Sequence, residues 1–165
     1  MSLSAQQRLV FKSSHQKRVE RFMALAGQEV PDTVKIPNED TRVLRAKLIL
    51  EEAFETINAL GVDIFCDNDL AVTLRLEDIE LLVSEDRDCD LAEVVDGCCD
   101  IIVVTTGTLS AFGVIDELCQ SQVDNANLRK FGPGGHRRED GKWIKPPDWQ
   151  APDWKQILST QGWNP

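Results

Sequence analysis

Residues 48–60, LILEEAFETINAL, place Glu51, Glu52 and Glu55 inside an apolar stretch with helical spacing. Because each helical residue turns by about 100°, the three carboxylates share one broad face of the helix. Like charges one turn apart repel by roughly a few tenths of a kcal/mol on an exposed face. Partial burial makes the repulsion more costly. The stretch therefore indicates either a solvated outer face or a bound cation.

A second acidic cluster lies in LAEVVDGCCDIIVVTTGTLSAFG, at residues 91–113. On a helix, Glu93, Asp96 and Asp100 fall within about 60° of one another. The apolar pattern of this stretch is too long for one strand and indicates a helix that is buried nearly all round. If the two helices pack together, up to six carboxylates converge, and a metal site becomes the favoured interpretation over a solvated face.

The metal that these ligands favour is a hard divalent cation, Mg²⁺ or Mn²⁺, because both take carboxylate oxygens. A di-iron bundle is disfavoured, since it requires Glu-x-x-His pairs and both histidines lie far from the acidic clusters. Zinc is not expected either, because the five cysteines show no CxxC spacing. The adjacent Cys98 and Cys99 are interpreted as small core residues in a reducing cytosol.

The composition of the 165-residue chain restricts its partners. A net charge of -10 and a pI near 4.6 argue against a nucleic-acid partner. No apolar run approaches the roughly 18 residues of a membrane span, and the N-terminus lacks the apolar core of a signal peptide. We therefore expect a cytoplasmic protein with no membrane partner.

The remaining pattern predicts four helices, a central insertion and a tail. The helices are predicted over about residues 4–26, 40–60, 90–113 and 115–130, and Gly61 is expected to end the second. Residues 61–89 predict a small hairpin or an excursion between helices. Residues 131–165 hold five of the seven prolines and predict an irregular tail, whose tryptophans pack on the helices. A helical domain over 1–130 and a tail over 131–165 are the expected organisation.

The motifs EEAFE and EVVDGCCD resemble the EExxE and ExxD motifs of the MazG-like all-α nucleoside triphosphate pyrophosphohydrolases. That superfamily includes dimeric dUTPases, dCTP pyrophosphatases and phosphoribosyl-ATP pyrophosphohydrolase. The resemblance covers about residues 40–130, and the tail DNANLRKFGPGGHRREDGKWIKPPDW is similar to tails of bacterial and phage members. It implies an all-α four-helix bundle that is completed by oligomerisation, as a homodimer or homotetramer, with an irregular C-terminal tail.

The resemblance also implies a site. The implied ligands of Mg²⁺, or of Mn²⁺ in its place, are Glu52, Glu55, Glu93 and Asp96. Glu51 or Glu52 is expected to orient the attacking water or take its proton. Asp100 lies one turn past the motif and is expected to support the ligands rather than bind the metal.

Residues near the last predicted helix are the implied phosphate contacts. Asn127 and Lys130 match polar positions expected near the phosphates. Arg137 and Lys142 belong to the basic concentration of the last third of the chain, a candidate clamp for the leaving pyrophosphate. An ordinary solvated surface accounts for this basic stretch equally well.

The activity that the resemblance implies is hydrolysis between the α- and β-phosphates of a nucleoside triphosphate, giving a monophosphate and pyrophosphate. Two alternatives remain open at this point. One is a phosphoribosyl-ATP pyrophosphohydrolase of histidine biosynthesis, and the other is a non-catalytic helical module whose carboxylates bind a structural ion or face solvent. The 37 residues between Glu55 and Glu93 are a long spacing for the superfamily, which leaves the shape of the substrate pocket open.

Overall fold

The fold is mostly helical, with two small two-stranded sheets, in a computed structural model that describes residues 3–66, 75, 78–139 and 141–164. The all-α class expected from the sequence is confirmed. The chain forms two compact units, one of Asn38–Thr105 and one that combines Met1–Pro37 with Thr106–Pro165. The expected boundary near residue 130 stays a prediction.

The described elements are helices, a 3₁₀ turn and short strands. In chain order they are α1 (Ala5–Phe11), α2 (Ser14–Leu25), α3 (Glu39–Ala59), β1 (Val62–Cys66), β2 (Ile79–Val83), α4 (Leu91–Ala111), α5 (Asp116–Leu128), a 3₁₀ turn (Arg129–Phe131), β3 (His136–Arg137), β4 (Trp143–Ile144) and α6 (Trp154–Thr160).

The two acidic stretches form the two long helices that the sequence predicts. Asn38 caps α3, because its side-chain oxygen accepts a hydrogen bond from the Thr41 amide at 2.9 Å. The helix ends before Gly61, whose positive φ of 70° favours glycine. Asp90 caps α4 in the same way, through the Ala92 amide at 2.9 Å. The interpretation of residues 91–111 as helix rather than strand is therefore confirmed.

The single N-terminal helix expected over residues 4–26 was wrong, because the structure has two helices there. Lys12 and Ser13 are extended, and the Ser13 hydroxyl accepts a hydrogen bond from the Gln16 amide at 2.9 Å. Serine favours this N-cap geometry because its side chain satisfies an amide that the helix leaves unpaired. A new helix therefore begins at Ser14.

Residues 61–89 contain the hairpin that the sequence gave as one of two alternatives. β1 and β2 pair antiparallel, from Val62 opposite Val83 to Cys66 opposite Ile79. The Arg87 guanidinium forms an ion pair with Asp63 beside this hairpin. Residues 67–74, 76 and 77, also part of the expected insertion, lie outside the described residues.

The tail is more regular than expected. β3 and β4 pair antiparallel, and a short helix, α6, follows. The indole of Trp149 donates a hydrogen bond to the Ala126 carbonyl of α5 at 2.7 Å. The rings of Phe131 and Trp143 lie 4.8 Å apart. These contacts attach the segment after residue 131 to the end of α5, so the description of it as irregular was only partly right.

The helix α4 is less buried than expected. Of its six valine and isoleucine residues, only Val104 is buried, while Val95 and Ile102 are 56% and 54% exposed. Cys98 and Cys99, expected in the core, are exposed. The apolar pattern correctly indicated a helix, but this one chain does not cover its whole surface.

α4 also corrects the statement that no apolar run approaches a membrane span. Among the described residues it is the one helix whose length and hydropathy would allow it to cross a membrane, with 33% of the apolar window buried. The earlier expectation counted uninterrupted apolar residues, whereas hydropathy is averaged over a window that tolerates a few charges. Core helices of soluble proteins have the same property, and α4 carries three acidic residues in its first half.

Candidate active site

The helices α3 and α4 come into close contact at Thr56 and Gly97, beside both acidic motifs. A Cβ atom added to Gly97 would lie 3.2 Å from the Cα and Cβ atoms of Thr56, and closer still to its hydroxyl oxygen. Thr56 is buried, and its hydroxyl donates a hydrogen bond to the Glu52 carbonyl at 2.7 Å. Glu52 and Glu55 on α3 thus lie within one turn of a contact that Asp96 and Asp100 flank on α4.

The electrostatic centre of this region is Glu52. Its side chain is half-buried, and that burial, together with the repulsion of neighbouring carboxylates, raises its pKa above the ordinary glutamate value. The carboxylates responsible, in order of decreasing effect, are Asp100, Glu55, Glu51 and Asp96. The structure therefore brings five of the six acidic residues from the two motifs into one electrostatic cluster.

Asp100 and Glu93 differ in how strongly they act on Glu52. Asp100 acts on Glu52 more strongly than Asp96 does, and it is half-buried. Glu93 is exposed in the first turn of α4 and is not among the four carboxylates that raise the pKa of Glu52. The assignment of Glu93 as a ligand and of Asp100 as a supporting residue stays a prediction. The effect of Asp100 on the pKa of Glu52 makes it a further candidate ligand.

The donor chemistry of this cluster fits a hard divalent cation. All six side chains offer carboxylate oxygens, the ligands that Mg²⁺ and Mn²⁺ take. Within the described residues, no three side chains of the His, Cys, Asp or Glu type are already grouped closely enough to hold a metal ion. The raised pKa of Glu52 has burial as its largest cause, and the repulsion of the neighbouring carboxylates adds to it. A bound cation would relieve this repulsion.

The predicted phosphate contacts form two local groups in the other compact unit. The Lys130 ammonium donates a hydrogen bond to the Asn127 side chain at 2.7 Å, at the end of α5. Arg137 and Lys142 belong to the β3–β4 hairpin, where the Arg138 amide donates to the Lys142 carbonyl at 2.8 Å. The role of these four residues towards phosphates stays a prediction.

Sequence reasoning missed Gly97 and Thr56. A glycine in the middle of a helix weakens that helix relative to alanine. Such a position, directly after Asp96, was the available signal that the backbone of α4 is closely approached there. The identity of the facing residue, Thr56, could not be read from one helix alone.

Comparison with protein families identifies one family over most of the helical part of the chain. A family model described as phosphoribosyl-ATP pyrophosphohydrolase matches residues 17–127, roughly two thirds of the chain. The matched range includes α3, α4 and both acidic motifs, and it stops before Lys130 and the β3–β4 hairpin. No curated protein matches the chain.

Proposed function

Because the chain belongs to the phosphoribosyl-ATP pyrophosphohydrolase family, a family of hydrolases that act on phosphoric anhydride bonds, we propose that it cleaves the bond between the α- and β-phosphates of a nucleoside triphosphate with Mg²⁺ as cofactor. The products are a nucleoside monophosphate and pyrophosphate. The observation that carries this proposal is the convergence of Asp96 and Asp100 from α4 on Glu52 from α3.

The metal is assigned to the acidic cluster. The residues that would hold it are Glu52, Glu55, Glu93 and Asp96, with Asp100 as a further candidate. When bound, Mg²⁺ supplies neutralisation of phosphate charge and lowers the pKa of a coordinated water.

Glu51 is the candidate for the proton transfer. It is exposed and adjacent to Glu52 in the sequence, so its carboxylate is open to a water molecule. In the reaction, the water oxygen bonds to one phosphorus of the scissile anhydride, the bridging P–O bond breaks, and the proton of the water passes to the carboxylate. Glu52 remains the second candidate for this role.

The polyphosphate requires donors as well as a cation. Asn127 and Lys130 already lie together at 2.7 Å, so an amide and an ammonium are available at one position. Arg137 and Lys142 add two cationic side chains from the hairpin, and charge-assisted hydrogen bonds of this kind are the strong ones for phosphate. We assign these four residues to substrate binding.

A second substrate is favoured by the family match itself, namely phosphoribosyl-ATP. Its hydrolysis breaks the same α–β bond, so the acidic cluster would serve both reactions without change. The third alternative from the sequence, a non-catalytic module, does not fit a member of a family of hydrolases.

Assembly from several copies is the second part of the proposal. Among the described residues of the Asn38–Thr105 unit, Val104 is the only hydrophobic side chain that is buried. The 21-residue helix α3 buries only Arg45 and Thr56. A unit of this size needs an apolar core, so we propose that a second copy covers the apolar faces of α3 and α4 in a homodimer or homotetramer.

Product analysis distinguishes the two substrates. Purified protein with Mg²⁺ would be incubated with ribo- and deoxyribonucleoside triphosphates and with phosphoribosyl-ATP, and the products identified by ³¹P NMR. Pyrophosphate with a simple monophosphate supports the first assignment, and pyrophosphate from phosphoribosyl-ATP alone supports the second. Orthophosphate release would exclude both, because it reports cleavage at the terminal phosphate.

A further inference from the structure

We propose that Gly97 and Thr56 are positioning residues that fix the separation of the two acidic motifs at the value that metal binding requires. Their role deepens the proposed function, since it concerns the cation that the acidic cluster would hold. Neither residue would touch the metal or the substrate. Both would act through the carboxylates that flank them.

At this contact the backbone of Gly97 lies against the Cα atom, the Cβ atom and the hydroxyl oxygen of Thr56. A Cβ atom on Gly97 would be 3.2 Å from the Cα of Thr56, a separation at which the neighbour must move. It would come closest to the Thr56 hydroxyl oxygen, which is held in place by its hydrogen bond to the Glu52 carbonyl. The absence of a side chain at Gly97 therefore allows α4 to lie as near to α3 as it does.

The contact lies beside the acidic residues of both helices, where the distance between α3 and α4 sets the distance between the two groups of carboxylates. Glu55 directly precedes Thr56, and Glu52 lies one turn before it. On the other helix, Asp96 directly precedes Gly97, and Asp100 lies one turn after it. Any outward movement of α4 at Gly97 therefore moves both of its aspartates away from the glutamates of α3.

A metal site is sensitive to such a movement. Mg²⁺ takes oxygen ligands at about 2.0–2.1 Å with near-octahedral geometry. Ligands divided between two helices can reach one ion only if the helices hold a set distance. Gly97 and Thr56 are both buried, and a Cβ atom at position 97 would lie too close to Thr56 for the present spacing. Alanine at position 97 should therefore separate the two ligand sets.

An ordinary effect on helix stability acts in the opposite direction. Alanine has a higher helix propensity than glycine, so Gly97→Ala should favour α4 as a helix. Loss of metal binding in a protein that keeps its helical content therefore reports the changed separation and not a weakened helix.

The test is Mn²⁺ binding to the purified full-length protein, measured by isothermal titration calorimetry and by the quenching of the Mn²⁺ electron paramagnetic resonance signal. Gly97→Ala should weaken binding at least tenfold, with unchanged circular dichroism. Removing the facing hydroxyl in the double variant Gly97→Ala/Thr56→Ala should restore part of the affinity, since the nearest obstruction is gone while the 3.2 Å contacts remain. The apparent Mn²⁺ requirement for pyrophosphate release should rise in parallel.

Two control variants distinguish the effect of the Thr56 side-chain shape from the effects of its hydroxyl and of a neighbouring substitution. Thr56→Val keeps the shape of the side chain but removes its hydroxyl, and it should bind Mn²⁺ as the wild type does. Cys98→Ala changes an exposed neighbour on α4 and should also have no effect. If Gly97→Ala does not fold, the double variant decides the question by comparison with Thr56→Ala alone.

The outcomes also distinguish this proposal from the function on which it rests. Wild-type protein that binds no Mn²⁺ would overturn the metal site and the positioning role together. Wild-type binding with equal affinity in Gly97→Ala would overturn the positioning role alone. If Gly97→Ala does not fold, equal affinity in the double variant and in Thr56→Ala would overturn it instead. Loss of binding in Thr56→Val would assign the effect to the hydroxyl rather than to the separation.

Discussion

Glu52 on α3 is repelled by carboxylates of its own helix and of α4. This environment bears on why glutamates crowd together in residues 48–60. Its raised pKa has its largest cause in partial burial, followed by repulsion from four other carboxylates. Such an arrangement destabilises the ionised side chain in the folded protein. A cation reverses that effect, which is the physical reason to connect the cluster with a metal.

Neutralising Glu52 should stabilise the metal-free protein while it removes the metal site. In Glu52→Gln the side chain keeps its shape and loses the charge that its neighbours repel, so the melting temperature in EDTA should rise above that of the wild type. Mg²⁺ should raise the melting temperature of the wild type but not of this variant, because binding to the native state stabilises it. Differential scanning fluorimetry with and without Mg²⁺ measures both effects.

The matched control is Glu80→Gln, an exposed glutamate on β2 outside the acidic motifs. It should leave both melting temperatures unchanged. A lower melting temperature of Glu52→Gln in EDTA would mean that the ionised carboxylate has a favourable partner, contrary to the repulsion described above.

At the scale of elements, periodicity predicted what depends on long apolar patterns and missed what depends on single hydrogen bonds. The patterns of α3 and α4 extend over five or more turns, so their helical state was predictable. The break at Lys12 and Ser13 depends on one hydroxyl that caps α2, and the imperfect amphipathic pattern of residues 4–26 did not indicate where it falls. The contact of Gly97 with Thr56 depends on which faces pack together, and neither helix contains that information by itself.

The N-cap of α2 should contribute measurably to stability. Ser13 accepts a hydrogen bond from Gln16 and donates one to the Asp116 carboxylate, so it joins α2 to the start of α5. Ser13→Ala should lower the free energy of unfolding by about 1–2 kcal/mol. Urea denaturation should show a lower midpoint with the same m-value.

Ser14→Ala serves as the matched control, since this neighbouring serine is exposed at the first helical position. It should change the midpoint little. Equal losses in the two variants would show that the cap does not contribute as described.

At the scale of the whole molecule, the two acidic helices expose large apolar side chains to solvent in the single chain. The large apolar side chains that are exposed on the two acidic helices are Val43, Leu44, Leu50, Phe54, Leu91, Val95 and Ile102. So many exposed large apolar side chains on two neighbouring helices favour an interaction surface. The six carboxylates could be predicted from the sequence, but the surface that surrounds them becomes visible only once the helices are folded.

The proposed assembly gives a mass prediction. The wild type should have a mass of two or four times 18.5 kDa by light scattering coupled to size exclusion. Ile102→Glu places a charge on the exposed apolar face of α4 and should lower that mass, because a buried unpaired charge opposes association.

Gln156→Glu is the control, since it adds the same charge at an exposed position on α6. It should retain the wild-type mass. A wild-type mass of 18.5 kDa would contradict the proposed assembly directly.

The most direct test of the central claim is pyrophosphate release with Mg²⁺, measured side by side for the wild type, Glu52→Gln and Glu80→Gln on nucleoside triphosphates and phosphoribosyl-ATP. The account predicts release by the wild type and by Glu80→Gln, and a rate at least about 100-fold lower for Glu52→Gln, the scale of loss typical when a catalytic electrostatic group is removed. Release by Glu52→Gln at the wild-type rate would contradict the assignment of the acidic cluster as the active site.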